Sequence, residues 1–522
     1  MMNLLIDPVF RVRTPEGIAT ASLPKLLALL GEDRVESLPG LQRHQEDAFH
    51  IFCCYLAGAV LVRQGATAPR QNAAFWLEGI RALSRQEGCE DDSAWMLVVD
   101  DPTQPAFMQP PASCNEVFEH DYKAEAITPD AFDVLVTSKN HDIKKSRGMT
   151  DDLEAWLLAL ISLQTTVGLL GRGSGGGMNR GIGRMNSGYG SRPRIGWISG
   201  MRSGAQFVRD VAVLLNLRAT LLQPPYVYAS TGKILLWIQP WDGKQSLALS
   251  SLDPFFIEVA RRVRLRIGLG GIQAFSSGSA ANFIAADELK GNLGDPWIPI
   301  TQRTNGALTV PESGLTPELL RNLIFGDGYA PAAMQHIDNS MASGWFAASV
   351  LVRGQGKTDG FHSAALRVPQ APRLALFAGG HARDRLATLS KKGVEATATV
   401  QYKALRPALF SLLEGGPESI VLDKTEVAQW VDRAATPFVT AWNPHFFDWL
   451  WTTVDISDDT EALRPWFNEL RRLAQETLNR AAECAPQRHG RTYRAKTKAQ
   501  SIFFGSLKKN FPHFMEVTHD EP

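Results

Sequence analysis

Nine of the twenty residues from Gly171 to Gly190 are glycine. Neither helix nor strand propagates well through such a run, because glycine loses more backbone freedom on ordering than any other residue. The chain therefore has to organise itself on either side of this tract rather than through it. The tract is also one-signed. From Ala155 to Arg209 there is no acidic residue, yet seven arginines occur: Arg172, Arg180, Arg184, Arg192, Arg194, Arg202 and Arg209. The whole chain is balanced, with 54 Lys+Arg against 54 Asp+Glu. A polyanion would thus be met by a local patch and not by the field of the whole molecule.

Glycine removes side-chain bulk and lets backbone N–H groups approach a ligand closely. Arginine supplies planar forks for phosphate and for base edges. The combination suits a polyanion held at backbone distance, with Arg172, Arg180 and Arg184 among its cationic partners. A flexible surface loop is the plainer alternative, although such linkers use serine more than arginine. Two enzymatic readings fail. Residues 171–176 (GRGSGG) formally fit a dinucleotide fingerprint, but the tract follows a helical pattern rather than a strand, and the next acid is Asp210. A phosphate-binding P-loop needs Gly-Lys-Ser/Thr, and no lysine lies between Lys145 and Lys233.

The 522 residues, 44% of them hydrophobic, are enough for two or three cores. Residues 3–12 read as two short strands broken at Pro8. Helical spacing of apolar residues predicts helices over 44–63, 72–86 and 150–168, the last capped by Thr150. Residues 101–150 read as irregular, with a strand-like run at 132–137. Mixed strands and loops are expected from the tract to about residue 370. Beyond it the pattern predicts helices over 396–415, 424–436, 443–452 and 460–484, which suggests a bundle. The boundary falls in the proline-containing stretch Val368–Leu376, giving domains 1–370 and 371–522.

Catalytic signatures are missing. The eleven histidines form no HExxH, no zinc box and no nuclease-like cluster, and no GxSxG elbow occurs. The expectation is a non-enzyme with no metal and no cofactor. The five cysteines lack CxxC spacing and suit a reducing compartment. The N-terminus reads as no signal peptide, and the most apolar run, 51–62, is too short for a membrane span. A cytoplasmic protein is expected.

Further contacts are candidates on residue type. The basic run 136–145 carries Lys139, Asn140, His141, Lys144 and Lys145; it reads either as a phosphate and base-edge contact or as a solvated loop. Lys290 lies in a turn-rich stretch. Gln335 lies in the turn segment 326–336, and an amide at such a tip can insert beside a base pair. Residues 488–498 (RHGRTYRAKTK) read as a phosphate-binding surface or as a solvated tail.

The opening Asn3-Leu4-Leu5-Ile6-Asp7-Pro8-Val9-Phe10-Arg11-Val12 resembles the start of the CasA family, the large subunit of the type I-E CRISPR complex Cascade. Ala106-Phe107-Met108-Gln109 resembles that family's Pro-Phe-Met-Gln motif, and the glycine loop follows at the expected distance. The family's N-terminal tryptophan is Phe10 or absent here, and the paired cysteines of some members are absent. The resemblance implies an α+β fold: a mixed N-terminal domain and a C-terminal four-helix bundle. It implies a ribonucleoprotein with guide RNA and other Cascade subunits, which recognises the short protospacer-adjacent motif (PAM) in target double-stranded DNA, opens the duplex and recruits a helicase-nuclease. By position, the glycine loop falls on Gly173, Gly175, Gly176 and Gly177, the PAM lysine on Lys290, the wedge on Gln335 with Gln355 as rival, and the RNA-handle loop on Thr137–Lys145. An RNA-binding scaffold without DNA recognition is the alternative.

Overall fold

The computed structural model describes residues 2–133, 152–166, 192–336, 344–354, 357–414, 425–485 and 491–515. It divides into two units, one of Met1–Leu315 with Gly328–Arg367, the other of Thr316–Asp327 with Val368–Pro522. The chain leaves the first unit for good at Val368, after an earlier excursion of twelve residues. The fold is α+β, as the resemblance implies.

The first unit is built round one helix. Helix α1 (Leu23–Gly31) precedes α2 (Glu46–Gln64), which is apolar on nearly every side. A helix of that kind must be surrounded. Helices α3 (Ala73–Gln86), α4 (Leu153–Thr166) and α5 (Ser203–Leu221) pack against it, as does the strand Leu252–Ile257. Asn72 caps α3 by accepting from the Phe75 amide at 2.9 Å. Asp152, rather than Thr150, caps α4: its carboxylate accepts from the Ala155 amide at 3.1 Å, and Thr150 lies outside the described residues.

Short sheets decorate this core. Strands β1 (Phe10–Thr14) and β2 (Gly17–Ala21) form a hairpin. The expected first strand is not one: residues 3–7 turn, with the Asn3 amide donating to the Asp7 carboxylate at 2.7 Å. Strand β3 (Lys123–Ala126) precedes the expected run at 132–137, of which Phe132 ends a helical turn and residues 134–137 lie outside the described residues. After β4 (Arg194–Ile198), strands β5 (Arg262–Gly268) and β6 (Gly271–Ser277) form a hairpin with β3 on its edge. Strands β7 (Ile300–Thr301) and β8 (Gly306–Ala307) make a small hairpin joined by β9 (Tyr329–Ala330). The long strands β10 (Gly344–Gly354) and β11 (Lys357–Val368) complete a sheet of order β11-β10-β4.

One motif behind the family resemblance, Ala106–Gln109, holds this core together. Phe107 sits between Trp95 and Trp237, with ring centroids 5.8 and 5.6 Å away. Burying each such ring contributes about 2–3 kcal/mol. Gln109 is fully buried; it donates to the carbonyls of Leu97 (2.7 Å) and Phe107 (3.1 Å) and accepts from the Leu265 amide (2.7 Å). It thus ties the 95–109 loops to β5. Arg264, on the same strand, is buried and donates to the carbonyls of Gln104, Gln109 and Asp101; burial brings its guanidinium down to about 10.

The second unit is helical. Helix α6 (Pro317–Phe325) is capped by Thr316 and packs with the later helices. Helix α7 (Gln370–Ala378) leads into α8 (Gly380–Thr399), which continues through a π-helical segment, Val400–Leu405, into α9 (Arg406–Glu414). Then come α10 (Thr425–Trp442), the short α11 (His445–Thr452), α12 (Asp459–Cys484) and α13 (Thr492–Asn510). The continuous α8–α9 rod, α10, α12 and α13 are the four long members of the bundle. Trp466 is its keystone: it stacks on Trp449 at 5.1 Å and donates to the Gly393 carbonyl at 3.1 Å.

Candidate nucleic-acid interface

The glycine loop and its arginines, Gly173, Gly175, Gly176, Gly177, Arg172, Arg180 and Arg184, lie outside the described residues. So do Lys139, Asn140, His141, Lys144, Lys145 and Gln355. What the structure does place are the flanks of these segments, together with Lys290 and Gln335.

The tract is held at both ends. On its N-terminal side, the Gln164 amide group donates to the carbonyls of Met108 (2.7 Å) and Arg261 (3.0 Å) and accepts from the Arg261 amide (2.8 Å). On its C-terminal side, buried Arg192 donates to the Gly291 carbonyl at 3.4 Å. Gly291 has φ +80°, and a Cβ there would stand 1.8 Å from the Arg192 guanidinium carbon. Only glycine satisfies both constraints. The C-terminal exit of the tract at Arg192 is therefore pinned against Gly291, the residue that follows Lys290.

A buried charge network fixes that exit. Arg194 opens β4 and pairs with Asp47 at 3.3 Å and with Asp210 at 3.5 Å. Asp210, on α5, also pairs with Arg209 at 2.8 Å and accepts from the Trp297 indole at 2.9 Å; His50 lies 2.8 Å away. Burial would raise the Asp210 carboxyl, but Arg209, His50 and Arg194 together hold it well below the usual carboxylate range. Burial, helped by Arg194, keeps the His50 imidazole below its ordinary value. His50, Cys54 and Asp210 bring three ligand-type atoms within 4.8 Å of one another. Their chemistry does not suit a cation: burial drives the Cys54 thiol far up, and two guanidinium groups already face the carboxylate. The cluster clamps α2, β4, α5 and Trp297 to each other.

Lys290 is exposed and adopts φ +48°, which is unusual for a residue with a side chain. Gln335 requires a correction. The segment does turn, but Gln335 is only 7% exposed, and its carboxamide oxygen accepts from the Ala332 amide at 2.8 Å. The adjoining Met334 amide donates to the Pro296 carbonyl at 2.8 Å. This glutamine is built into the turn and is not its tip. Gln355 falls between the end of β10 at Gly354 and the start of β11 at Lys357.

The basic C-terminal stretch, left open between a binding surface and a tail, continues into helix. Ala495, Ala499, Phe503 and Leu507 of α13 are buried, while Arg494, Lys496, Lys508 and Lys509 are exposed. No carboxylate occurs from Ala485 to Met515. The residues that flank 134–151 are anchored. Asp133 is buried against His44 (2.5 Å) and Gln45 (2.6 Å), and Glu154 receives both the backbone amide and the side chain of Arg11. These anchors were missed in the sequence because the partners lie far apart in the chain.

This two-unit architecture, an α+β unit followed by a helical bundle, is that of the CRISPR-associated Cse1 (CasA) proteins. The crystal structure of CRISPR-associated protein Cse1 from Acidimicrobium ferrooxidans matches with a TM-score of 0.60 at 13% identity, over 99% of both chains. CasA of Thermus thermophilus gives 0.61 at 13% identity, over 97% of this chain and 99% of that one. Cse1 of Thermobifida fusca gives 0.57 at 15% identity, over 99% of each. No protein-family model matches the chain, and no curated protein matches it by sequence. This chain has the Cse1 (CasA) fold along nearly its whole length.

Proposed function

We propose that this chain is the non-catalytic large subunit of a type I-E CRISPR surveillance complex, which recognises the PAM in target double-stranded DNA and starts duplex opening. One observation carries the reading: a glycine-arginine tract without carboxylates emerges, in a Cse1 fold, beside an exposed and conformationally fixed lysine. The backbone of Gly173–Gly177 would lie against the minor groove, whose pattern separates A·T from G·C only coarsely. Motif choice is then relaxed. Arg172, Arg180 and Arg184 neutralise phosphates, and Lys290 adds a contact of about 1 kcal/mol. The inward Gln335 supports Gln355 as the wedge at the first base step, where unstacking costs a few kcal/mol. Guide RNA, bound in part through Lys139, Asn140, His141, Lys144 and Lys145, reads the sequence by pairing. The other Cascade subunits complete the complex, which hands the opened target to a helicase-nuclease in the cytoplasm. Among the described residues no helix is long and apolar enough to cross a membrane.

The test is Gly176→Asp in the assembled ribonucleoprotein. A carboxylate at this backbone contact repels phosphate, so target-duplex binding should fall by more than about tenfold, on the scale of a lost close contact. Assembly with guide RNA should persist. Unchanged target binding refutes the assignment, and guide-RNA retention without any PAM dependence would mark a scaffold instead.

A further inference from the structure

We infer that Arg303 and Asn305, on the loop between β7 and β8, contact the same DNA backbone as Lys290, the three residues forming one surface. The inference rests on the DNA-binding reading above.

Four non-glycine residues among those described have positive φ: Asp33, Met108, Lys290 and Asn305. Such backbone is kept only where its surroundings enforce it, and it gathers at working sites. Two of the four have structural explanations. Met108 belongs to the latch made by Gln109 and Gln164, and the Asp33 carbonyl accepts from Arg202. The other two hold each other in place. The Ala307 amide donates to the Lys290 carbonyl at 3.1 Å. The Asn292 side chain donates to the Asn305 carboxamide oxygen at 3.2 Å. A Cβ on Gly306 would stand 3.1 Å from the Lys290 Cβ. The hairpin loop and the lysine turn are thus one rigid piece, and among the described residues no buried contact accounts for the Lys290 and Asn305 side chains.

The exposed face of this piece is chemically uniform. Gln302, Arg303, Thr304 and Asn305 are all exposed, and no carboxylate occurs from Pro296 to Pro311. Neither the Lys290 ammonium nor the Arg303 guanidinium has a hydrogen-bond or ion-pair partner among the described residues. Exposed Glu288, two residues before Lys290, bounds the positive surface in the sequence. One guanidinium, one ammonium and two primary amides make a donor-rich set, which suits an acceptor-rich sugar-phosphate backbone. Its position continues the exit of the glycine-arginine tract, through Arg192 and Gly291.

The experiment uses the full chain and a labelled DNA duplex of about 40 base pairs, titrated between about 50 and 200 mM salt, where each phosphate contact adds about 0.9 to the log–log slope. Lys290→Ala and Arg303→Ala should each lower the slope by about 0.9, and the double variant by about 1.8. Arg303→Lys should restore the slope, which separates charge from fold. Asn305→Gly preserves the left-handed backbone; it should weaken binding a few-fold with the slope unchanged. If Lys290→Ala loses its increment while Arg303→Ala keeps the wild-type slope, the inference is wrong and the DNA reading stands. If neither variant changes the slope, the DNA reading of Lys290 itself fails. Equal losses on an RNA duplex of the same length would overturn the assignment to DNA.

Discussion

Asp210→Asn tests whether the exit of the glycine tract depends on a buried charge. The carboxylate faces Arg209 and Arg194 and receives the Trp297 indole, and it is fully buried. The amide keeps an acceptor for the indole but removes the charge that balances two guanidinium groups. Breaking a buried pair from one side costs about 3–5 kcal/mol. The unit that holds it has roughly 350 residues. At about 2.1 cal/mol/K per residue, its unfolding entropy is about 0.7 kcal/mol/K, so the transition should move down by about 4–7 °C. Differential scanning calorimetry at neutral pH reads this directly. The acid limb gives a second check. Because the folded carboxyl sits below its unfolded value, its stabilisation is complete above the ordinary carboxylate range and fades as pH falls through the folded value. The gap between wild type and variant should therefore hold from pH 7 to about pH 5 and narrow below about pH 4. A variant melting within 1 °C of wild type, or a gap that widens in acid, refutes the clamp.

Three other substitutions separate structural from functional glutamines. Gln109→Ala removes three buried hydrogen bonds and should cost about 3 kcal/mol, seen as a lower urea midpoint with unchanged m. In the assembled complex, Gln355→Ala should slow duplex opening, followed by 2-aminopurine fluorescence beside the PAM, while initial binding stays intact. Gln335→Ala should cost about 1 kcal/mol of stability through its lost turn bond and leave opening alone; the reverse pattern would return the wedge to Gln335.

Sequence periodicity located α2, α3, α4 and α12 closely, because each buries a long apolar stripe or is apolar all round. It missed α13. There the buried positions Ala495, Ala499, Phe503 and Leu507 include two alanines, and the intervening Arg494, Lys496 and Lys498 read as a charged tail. Helix α5 was also missed, since its apolar residues Phe207, Val211 and Leu214 are interrupted by Arg209 and Asp210, polar groups that the core has its own use for. The motif Ala106–Gln109 was legible as a family mark but not as a latch, because its partners Leu97 and Leu265 are set by tertiary structure. Lys290 was assigned through the family resemblance, from the Gly/Pro/Trp stretch that follows it. Its left-handed backbone has no sequence signal, whereas Asn305-Gly306 is an Asn-Gly pair of the kind that favours positive φ. Gln335 was misplaced because a turn-forming segment does not reveal which side chains close the turn.

Helix α6 has a consequence for anyone dividing this protein. Its twelve-residue segment is interrupted from the rest of its unit by 40 residues of the other. Leu319, Leu320 and Leu323 are buried, Arg321 donates to the Ser390 hydroxyl at 3.0 Å, and Arg383 donates to the Phe325 carbonyl at 2.7 Å. A protease nick after Arg367 would leave the two fragments tied together by this inserted helix. A bundle expressed from Val368 onward would start life with an open greasy slot, so it should be made with residues 316–327 supplied in the same polypeptide.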